Sequence, residues 1–512
     1  MPPLRRSRRA VPWLLAVASS TLLTLSMPGS GSQAWLAFVA LVPLLVALDG
    51  VPVRRAAAIG FVAGAAFWTV TVLWPAPWVI HYGGVGWVAS MATAAVVIGT
   101  LSTFTAVFAT AVVALRDRSG ITAVLVGASA WVAVELVRAA LTGFPWAVLG
   151  VTQWRRLALI QIAAITGVYG VSFAVAAVNL AVARLLRGDR RYRDRAAACG
   201  AAAMVVVLVA LPGWLASPRS ERGTTPPIAI VQGNVDQSVR WDRAYVDTAL
   251  ALHERLTRDA ARDGAKLVVW PETTVPLDDK TDARWLAVID LARELDVYLI
   301  VGAPHGIGDA PWNSAFLIAP DGTIGRYDKR HLLPFAEYVP WRGALGFLRV
   351  VTGDAISRFT PGTDPVVWAT PFGRLAAAIC YEAILPGESR ESFVAGADVL
   401  VNLTNDAWFG PTPTPVHHLA LATFRAVEHR AWLVRAANSG ISAFIAPDGR
   451  IVAATRLYQR GVLTGAVAPR AETTFYSRYG DVFAWSALGG TVGMLIPLPI
   501  RRRRPVEVEL AR

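Results

Sequence analysis

Cysteine is almost absent from this sequence of 512 residues, which contains only Cys199 and Cys380. Two cysteines cannot form the disulfide framework that stabilises small secreted domains, so that class of fold is excluded. Cys199 lies within a long apolar run, whereas Cys380 lies in a segment of ordinary composition. An isolated thiol in such a segment is a candidate nucleophile.

Lysine is also rare, because only three of the 49 basic residues are lysines, at positions 266, 280 and 329. Arginine is therefore the default cation of this chain. Lys329 stands directly beside Arg330, where a second arginine would be the ordinary choice. Since an ammonium is compact and an arginine fork is broad, the exception at Lys329 indicates a site that only an ammonium fits.

Charged residues make up only 17% of the chain, below the roughly one quarter that is usual in soluble proteins, while hydrophobic residues reach 54%. The apolar excess lies in residues 11–216 and 482–500, and residues 225–480 have the composition of a soluble domain. The net charge of +13 comes from arginines in short loops, without any nucleic-acid-binding motif, which argues against nucleic acid as a partner.

Apolar runs that approach or exceed the about 17–25 residues needed to cross a bilayer recur along the chain. They cover residues 11–27, 33–48, 56–74, 87–115, 120–141, 157–183, 196–216 and 482–500. The first run resembles a signal peptide, but further apolar runs follow at once, and we interpret it as an uncleaved span. The sequence therefore predicts an α-helical membrane bundle of about eight spans.

The arginines of the loops define an orientation for these spans. Loops on the side of the N-terminus contain 18 arginines, whereas the short loops on the other side contain only Arg155 and Arg156. The positive-inside rule places both termini in the cytoplasm. The predicted parts are spans one to seven within 1–216, an extracytoplasmic domain at 217–481, an eighth span at 482–500 and a cytoplasmic tail at 501–512.

Short β-rich runs alternate with helical stretches in the outer segment, which predicts a layered α/β domain. We expect strands at 228–231, 267–270, 297–302, 314–319, 375–379, 399–403 and 442–446, and helices at 244–262, 283–295 and 417–433.

Catalytic groups of α/β domains collect at strand ends, and Glu272, Lys329 and Cys380 fall at three such places. A thiol with an ordinary pKa of roughly 8.5 is mostly protonated at neutral pH. Glu272 is suited to accept its proton, and Lys329 to stabilise the thiolate and then the oxyanion of a tetrahedral intermediate. The backbone N–H of Tyr381 is a second candidate donor to that oxyanion.

Short motifs containing these residues occur in a fixed order. They read VQGN at 231–234 with Trp241 downstream, WPET at 270–273, YDK at 327–329, PFAE at 334–337, CYE at 380–382, NDAWFG at 405–410 and ANSGIS at 437–442, with GFPW at 143–146 in the membrane part. Residues 225–470 resemble the carbon–nitrogen hydrolase (nitrilase) superfamily, and nearly the whole chain resembles the bacterial apolipoprotein N-acyltransferase family. Ala336 and Ser439 stand where that family often has Gly and Thr, and neither belongs to the three candidate catalytic residues.

The resemblance implies a nitrilase-like αββα sandwich with a Glu272–Lys329–Cys380 triad, supported by Glu337 and Glu382. It implies ping-pong transfer of an acyl chain from a phospholipid, through a thioester on Cys380, to the N-terminal diacylglyceryl-cysteine of an apolipoprotein. It also implies a multi-pass enzyme of the bacterial cytoplasmic membrane. We expect no metal, no cofactor and a monomer.

Three aromatic residues are open to two interpretations. Trp241, Tyr381 and Trp408 fit the lining of an acyl-chain entrance, and we assign Trp241 and Trp408 to substrate binding. Aromatic side chains of such a domain are nevertheless more often part of the core. Glu135 and Arg138, three residues apart in the fifth span, are interpreted as an ion pair near the membrane edge.

Two other functions remain open at this point. A membrane-tethered amidase or nitrilase-type hydrolase would use the same three residues with water as second nucleophile and would release ammonia, although one span would suffice to tether it. A transporter with an outer binding domain would function without Cys380. Its spans should contain several buried charges or broken helices.

Overall fold

The computed structural model describes residues 3–73, 76–77, 86–116, 118, 120–186, 192–215, 224–236, 243–274, 282–306, 311–333, 337 and 359–496. The α-helices within these residues are α1 Pro3–Ser26, α2 Val42–Ala47, α3 Val53–Leu73, α4 Trp87–Ala114, α5 Gly120–Thr142, α6 Leu157–Ile160, α7 Ala163–Thr166, α8 Val168–Leu186, α9 Tyr192–Leu215, α10 Arg243–Arg262, α11 Ala283–Leu295, α12 Pro386–Val394, α13 Thr414–His429, α14 Phe475–Tyr479 and α15 Val482–Leu495. The strands are β1 Ile228–Gln232, β2 Leu267–Val269, β3 Tyr298–His305, β4 Trp312–Ile318, β5 Ile324–Asp328, β6 Val367–Thr370, β7 Gly373–Ile379, β8 Val399–Thr404, β9 Trp432–Ala437, β10 Ala443–Ile445, β11 Ile451–Ala454 and β12 Gly461–Gly465.

Within the described ranges, five helices are long and apolar enough to cross a membrane, namely α3, α4, α5, α8 and α9. They correspond to the predicted spans at 56–74, 87–115, 120–141, 157–183 and 196–216. The predicted runs at 11–27, 33–48 and 482–500 contain shorter apolar helices, and residues 497–500 lie outside the described part of the chain.

The second predicted span is broken, because a short 3₁₀ turn and the six-residue α2 replace one continuous helix. Pro43 near the start of α2 has no N–H for a continuous helix to use. The buried Asn179 of α8 compensates: its side-chain oxygen accepts from Leu41 N at 2.8 Å, and its amide donates to Ala37 O at 2.8 Å. Backbone groups freed by the break are thus satisfied inside the bundle, as a lipid environment requires.

The predicted span at 157–183 also begins differently, since α6 and α7 precede the long helix α8. Gly167 between α7 and α8 has φ +65°, a conformation that glycine adopts without strain. The Glu428 carboxylate of the outer domain accepts from Val168 N, the first residue of α8, at 3.1 Å. A side chain of the soluble domain therefore satisfies the first backbone amide of a membrane helix.

Two six-stranded mixed sheets form the outer domain, with strand orders β12-β1-β2-β3-β4-β5 and β11-β10-β9-β8-β7-β6. Parallel pairs occupy the centre of each sheet: β1 pairs with β2 and β2 with β3 in the first, and β7 pairs with β8 and β8 with β9 in the second. Antiparallel pairs flank them. One hydrophobic cluster combines residues of both sheets, including Ile230 and Val269 from the first and Val401 and Val434 from the second. The sheets therefore pack face to face.

A helical layer covers the outer face of each sheet. α10 and α11 pack on the first sheet through residues such as Leu250 and Val288. Phe393 of α12 and Phe424 of α13 belong to a cluster that contains residues of the second sheet and continues into the membrane bundle. The predicted combination of an αββα sandwich with a helical membrane bundle is confirmed, and the second helical layer is the one that rests on the bundle.

The predicted helix at 417–433 was wrong at its end. α13 stops at His429, because Arg430 adopts a left-handed conformation with φ +50°, and β9 follows. β9 is buried along its whole length, and a short apolar run of that kind fits a helix or a central strand equally well by pattern.

We predict that Glu428 makes the protein less stable as pH rises from about 4.5 to about 8. Burial raises the pKa of this carboxyl to about 8, and Arg425 offsets only part of the rise. Because the folded-state pKa lies above that of the unfolded chain, the stability that Glu428 contributes at low pH is lost as pH rises through about 8. The melting temperature of the unmodified chain in detergent should fall more steeply between about pH 4.5 and pH 8 than that of Glu428→Gln.

Asp263→Asn removes an exposed carboxylate and serves as the matched control for that measurement. Its melting curve against pH should run parallel to that of the unmodified chain. Parallel curves for Glu428→Gln as well would contradict the assignment.

Candidate active site

The ends of three strands bring the predicted catalytic residues together. Trp270 and Pro271 follow β2 and place Glu272 just beyond it, Lys329 follows β5 directly, and Cys380 follows β7 directly. Lys329 Nζ lies 3.6 Å from Glu272 Oε1. The charges of Glu272 and Lys329 both act on the pKa of Cys380, so the three groups share one site.

Lys329 is an almost fully buried ammonium, with 1% of its side chain exposed, and lies between two carboxylates. Its Nζ is 3.0 Å from Glu337 Oε1 and 2.8 Å from Glu337 Oε2. Burial alone would lower the pKa of this ammonium, but the charges of Glu337 and Glu272 outweigh burial and raise the pKa above its ordinary value. Lys329 therefore stays positively charged throughout the neutral range.

Asn313 of β4 is a site residue that the sequence reasoning missed. Its buried amide donates to Glu272 Oε1 at 2.9 Å and to Glu337 Oε1 at 3.0 Å, which fixes the two carboxylates relative to each other. The other oxygen of Glu272 accepts from Asn405 N at 3.0 Å. The available signal was a polar residue at the start of a mostly apolar strand, Trp312–Ile318.

Cys380 occupies a strained position, because its φ is +53° in a residue that is not glycine. Such a conformation costs on the order of 1–3 kcal/mol and persists only where the surroundings hold it. Burial, and then the charge of Glu272, raise the pKa of the Cys380 thiol to about 12, while the Lys329 ammonium and the Thr404 hydroxyl oppose that rise. The sulfur is therefore a neutral thiol at rest and needs a base before it can attack.

Glu382 connects the strand ends that carry Lys329 and Cys380. One of its oxygens accepts from Ile379 N at 2.7 Å, directly before Cys380. The other accepts from Tyr327 Oη at 2.8 Å and from the backbone N–H groups of Arg330 at 2.7 Å and His331 at 3.1 Å. The fully buried Glu382 thus fixes the position of the Lys329 segment relative to β7.

Asp406 and Arg435 form a buried ion pair behind Cys380, with Arg435 Nη2 2.8 Å from Asp406 Oδ2. Arg435 and His418 outweigh burial and lower the pKa of Asp406 to about 2. Nδ1 of His418 lies 2.9 Å from Asp406 Oδ1, and its Nε2 lies 3.3 Å from the Cys380 carbonyl oxygen. Sequence reasoning assigned no role to His418 or Arg435.

The loop after α5, residues 143–149, joins this site to the membrane bundle. The Tyr381 hydroxyl donates to Gly143 O, and Ala147 N donates to His417 Nε2 at 3.2 Å. The Trp146 ring lies 4.6 Å from the His417 ring, measured between centroids. The Tyr381 side chain therefore contacts the membrane loop.

Glu135 and Arg138 hold the same loop from the bundle side. Leu149 N donates to Glu135 Oε1 at 2.6 Å, and Arg138 Nη1 donates to Trp146 O at 2.5 Å. Both residues are 3% exposed. The interpretation of these two residues as an ion pair at the membrane edge is therefore incomplete, because they also support the backbone of the loop.

The two predicted substrate-binding tryptophans are placed differently. Trp408 is half-buried in the 3₁₀ turn Asp406–Phe409, which follows β8 beside the site. Trp241 lies outside the described residues.

Known families match both parts of this architecture. Residues 227–475 match the carbon–nitrogen hydrolase family, and residues 19–181 match the N-terminal domain of apolipoprotein N-acyltransferase. An apolipoprotein N-acyltransferase of Geobacter metallireducens is 40% identical over 505 residues, 96% of each chain. One from Azotobacter vinelandii is 33% identical over 513 residues, 96% of this chain and 95% of that one. A solved amidase of the nitrilase superfamily from Nesterenkonia AN1 is 22% identical, with a TM-score of 0.40, over 50% of this chain and 94% of its own.

The fold and the matched segments define a membrane enzyme in which a carbon–nitrogen hydrolase domain is carried by a bundle of apolar helices. At 40% identity over almost its whole length, the chain belongs to the apolipoprotein N-acyltransferase family. This membership favours acyl transfer over the amidase and transporter alternatives.

We predict that Glu382→Gln destabilises the site. An amide nitrogen would face N–H and O–H donors that now bond to a carboxylate, at a cost of roughly 1–3 kcal/mol of unfolding free energy. Glu391→Gln is the control, because Glu391 is a half-exposed partner of Arg330 and such pairs contribute about 0–1 kcal/mol. Thermal unfolding in detergent measures both, and equal melting temperatures for the two variants would contradict this role for Glu382.

Proposed function

We propose that this membrane enzyme of the apolipoprotein N-acyltransferase family uses Cys380 to carry a fatty acyl chain from a phospholipid to a lipoprotein. In the first half-reaction the Cys380 thiol gives its proton to Glu272 as the sulfur attacks an ester carbonyl of the phospholipid. A carbon–sulfur bond forms, the ester carbon–oxygen bond breaks, and the departing alkoxide takes the proton, leaving a lysophospholipid.

The amino group of the N-terminal diacylglyceryl-cysteine of a lipoprotein then attacks the thioester. An amide bond forms, the carbon–sulfur bond breaks, and Glu272 transfers a proton from the amine to the departing thiolate. Lys329 stabilises the oxyanion in both half-reactions, with the Tyr381 N–H as the second donor. Glu337 and Asn313 hold Lys329 and Glu272 in place.

The observation that carries this proposal is the Lys329 ammonium held within 3.6 Å of Glu272 in a site that acts on the Cys380 thiol. For a thiol that is neutral at rest, the adjacent carboxylate can accept the proton and the charged, buried ammonium can stabilise the thiolate. The contact between Tyr381 and the membrane loop supports a lipid donor, because it sets the nucleophile against the bundle. We further propose that the catalytic domain lies on the extracytoplasmic side, with both termini in the cytoplasm, and that the enzyme acts as a monomer, with Trp241 and Trp408 lining the acyl path.

Peptide mass spectrometry on enzyme purified with phospholipid should detect a fatty-acyl mass on the Cys380 peptide that hydroxylamine removes. The mass should disappear when a diacylglyceryl-cysteine peptide is added, and that peptide should become N-acylated. Cys199→Ser is the matched control and should retain both events, whereas Cys380→Ala should lose both. An unmodified Cys380 together with hydrolysis of small amides would refute the lipid substrate.

Lys329→Arg should reduce acyl transfer roughly 100-fold or more, as the loss of an oxyanion donor does. The buried space between Glu337 and Glu272 accommodates an ammonium, and a planar guanidinium does not reproduce its position. Lys266→Arg is the control, because Lys266 forms a half-exposed pair with Asp296. Full activity of Lys329→Arg in the mass-spectrometric assay would show that a compact ammonium is not required.

A further inference from the structure

The carbonyl of Cys380 has a partner that the proposed reaction does not use. His418 Nε2 lies 3.3 Å from this oxygen, and the His418 side chain is only 2% exposed. A carbonyl can only accept, so this contact requires a proton on Nε2. Nδ1 lies 2.9 Å from Asp406 Oδ1, and a carboxylate oxygen also only accepts, so both contacts of the ring are hydrogen bonds when each ring nitrogen carries a proton. Arg435 Nη2, 3.3 Å from Nδ1, donates to the other oxygen of Asp406.

Asp406, Arg435 and Asn402 form a hydrogen-bonded frame beside His418 that is connected to the second sheet. Arg435 Nη1 donates to Asn402 Oδ1 at 2.5 Å, and Asn402 Nδ2 donates to Ala378 O at 2.9 Å, two residues before the nucleophile. Together with His418, the frame thus connects Ala378 of β7 to Cys380, which directly follows that strand. Side chains fixed in this way can hold a neighbouring peptide group within a narrow range.

The carbonyl that His418 contacts belongs to the strained residue of the site. The φ of Cys380 is +53°, and its carbonyl shares one planar peptide group with the Tyr381 N–H, so a contact that fixes the carbonyl also fixes the direction of that N–H. Glu382 fixes the chain before Cys380 through Ile379 N, and His418 fixes it after Cys380 through the carbonyl. The two contacts act on opposite sides of the same backbone position.

We propose that His418 is a positioning residue of this active site, whose Nε2–H holds the Cys380 carbonyl and thereby aligns the thiol and the Tyr381 N–H for acyl transfer. This role rests on the proposed function of Cys380 as the nucleophile. His417, its neighbour on α13, receives a hydrogen bond from Ala147 of the membrane loop. α13 therefore contacts Cys380 through His418 and the membrane loop through His417.

Two substitutions separate the contacts of His418. The amide nitrogen of glutamine lies about where histidine has Nε2, and that of asparagine about where it has Nδ1. His418→Gln can therefore still donate to the Cys380 carbonyl, whereas His418→Asn can donate only toward Asp406. In purified enzyme with phospholipid, His418→Asn should slow acylation of Cys380 about tenfold or more, and His418→Gln should restore most of that rate.

The KM for phospholipid should change less than about twofold in both variants, because the contact acts on the nucleophile and not on lipid binding. The rate of alkylation of Cys380 by iodoacetamide, read on its peptide, should follow the same order as acylation. Melting temperatures within a few degrees of each other would exclude a difference in folding between the two variants.

Equal acylation and alkylation rates in the glutamine and asparagine variants would overturn the role of His418. Failure of the unmodified chain to acylate Cys380 would instead overturn the proposed function, and the alkylation rates would still test whether His418 orients the thiol. The two failures are therefore distinguishable.

Discussion

A buried ammonium between two carboxylates is the constraint on which the rest of the catalytic domain depends. An isolated charge in a protein interior is costly, so Lys329 requires Glu337 and Glu272 beside it. Those carboxylates in turn require donors, and Asn313 supplies two hydrogen bonds while Asn405 N supplies a third. The ends of β2, β4, β5 and β8 must therefore meet at one place.

The strain at Cys380 depends on a second set of buried polar contacts. Glu382 lies on one side of the nucleophile and joins it to the segment after Lys329, and His418 lies on the other side within the Asp406–Arg435 frame. Each of these side chains has at most 2% of its surface exposed, so water has little access to compete for their hydrogen bonds. These contacts hold the backbone at Cys380, while the charges of Glu272 and Lys329 act on the pKa of its thiol.

Much of this arrangement could be predicted from the sequence, since its signals are local. Apolar runs predict the spans, and a glutamate and a cysteine at strand ends, with an exceptional lysine, predict the three candidate residues. The contributions of Asn313, His418 and Arg435 could not be predicted, because each depends on a contact across at least 29 positions of the chain. The hydrogen bonds that compensate for the break in the second span likewise depend on Asn179, which lies 138 positions away from Leu41.

The charged residues within the fifth span also have an explanation in the catalytic site. Ionisable groups in a membrane helix are costly and usually functional. Here Glu135 and Arg138 of α5 form hydrogen bonds with the backbone of the loop 143–149. His417 and Tyr381 of the outer domain form hydrogen bonds with the backbone of the same loop. The loop is therefore in contact both with the helical bundle and with the segment that contains Cys380. These contacts join the segment that contains Cys380 directly to the helical bundle, which a simple membrane tether would not do.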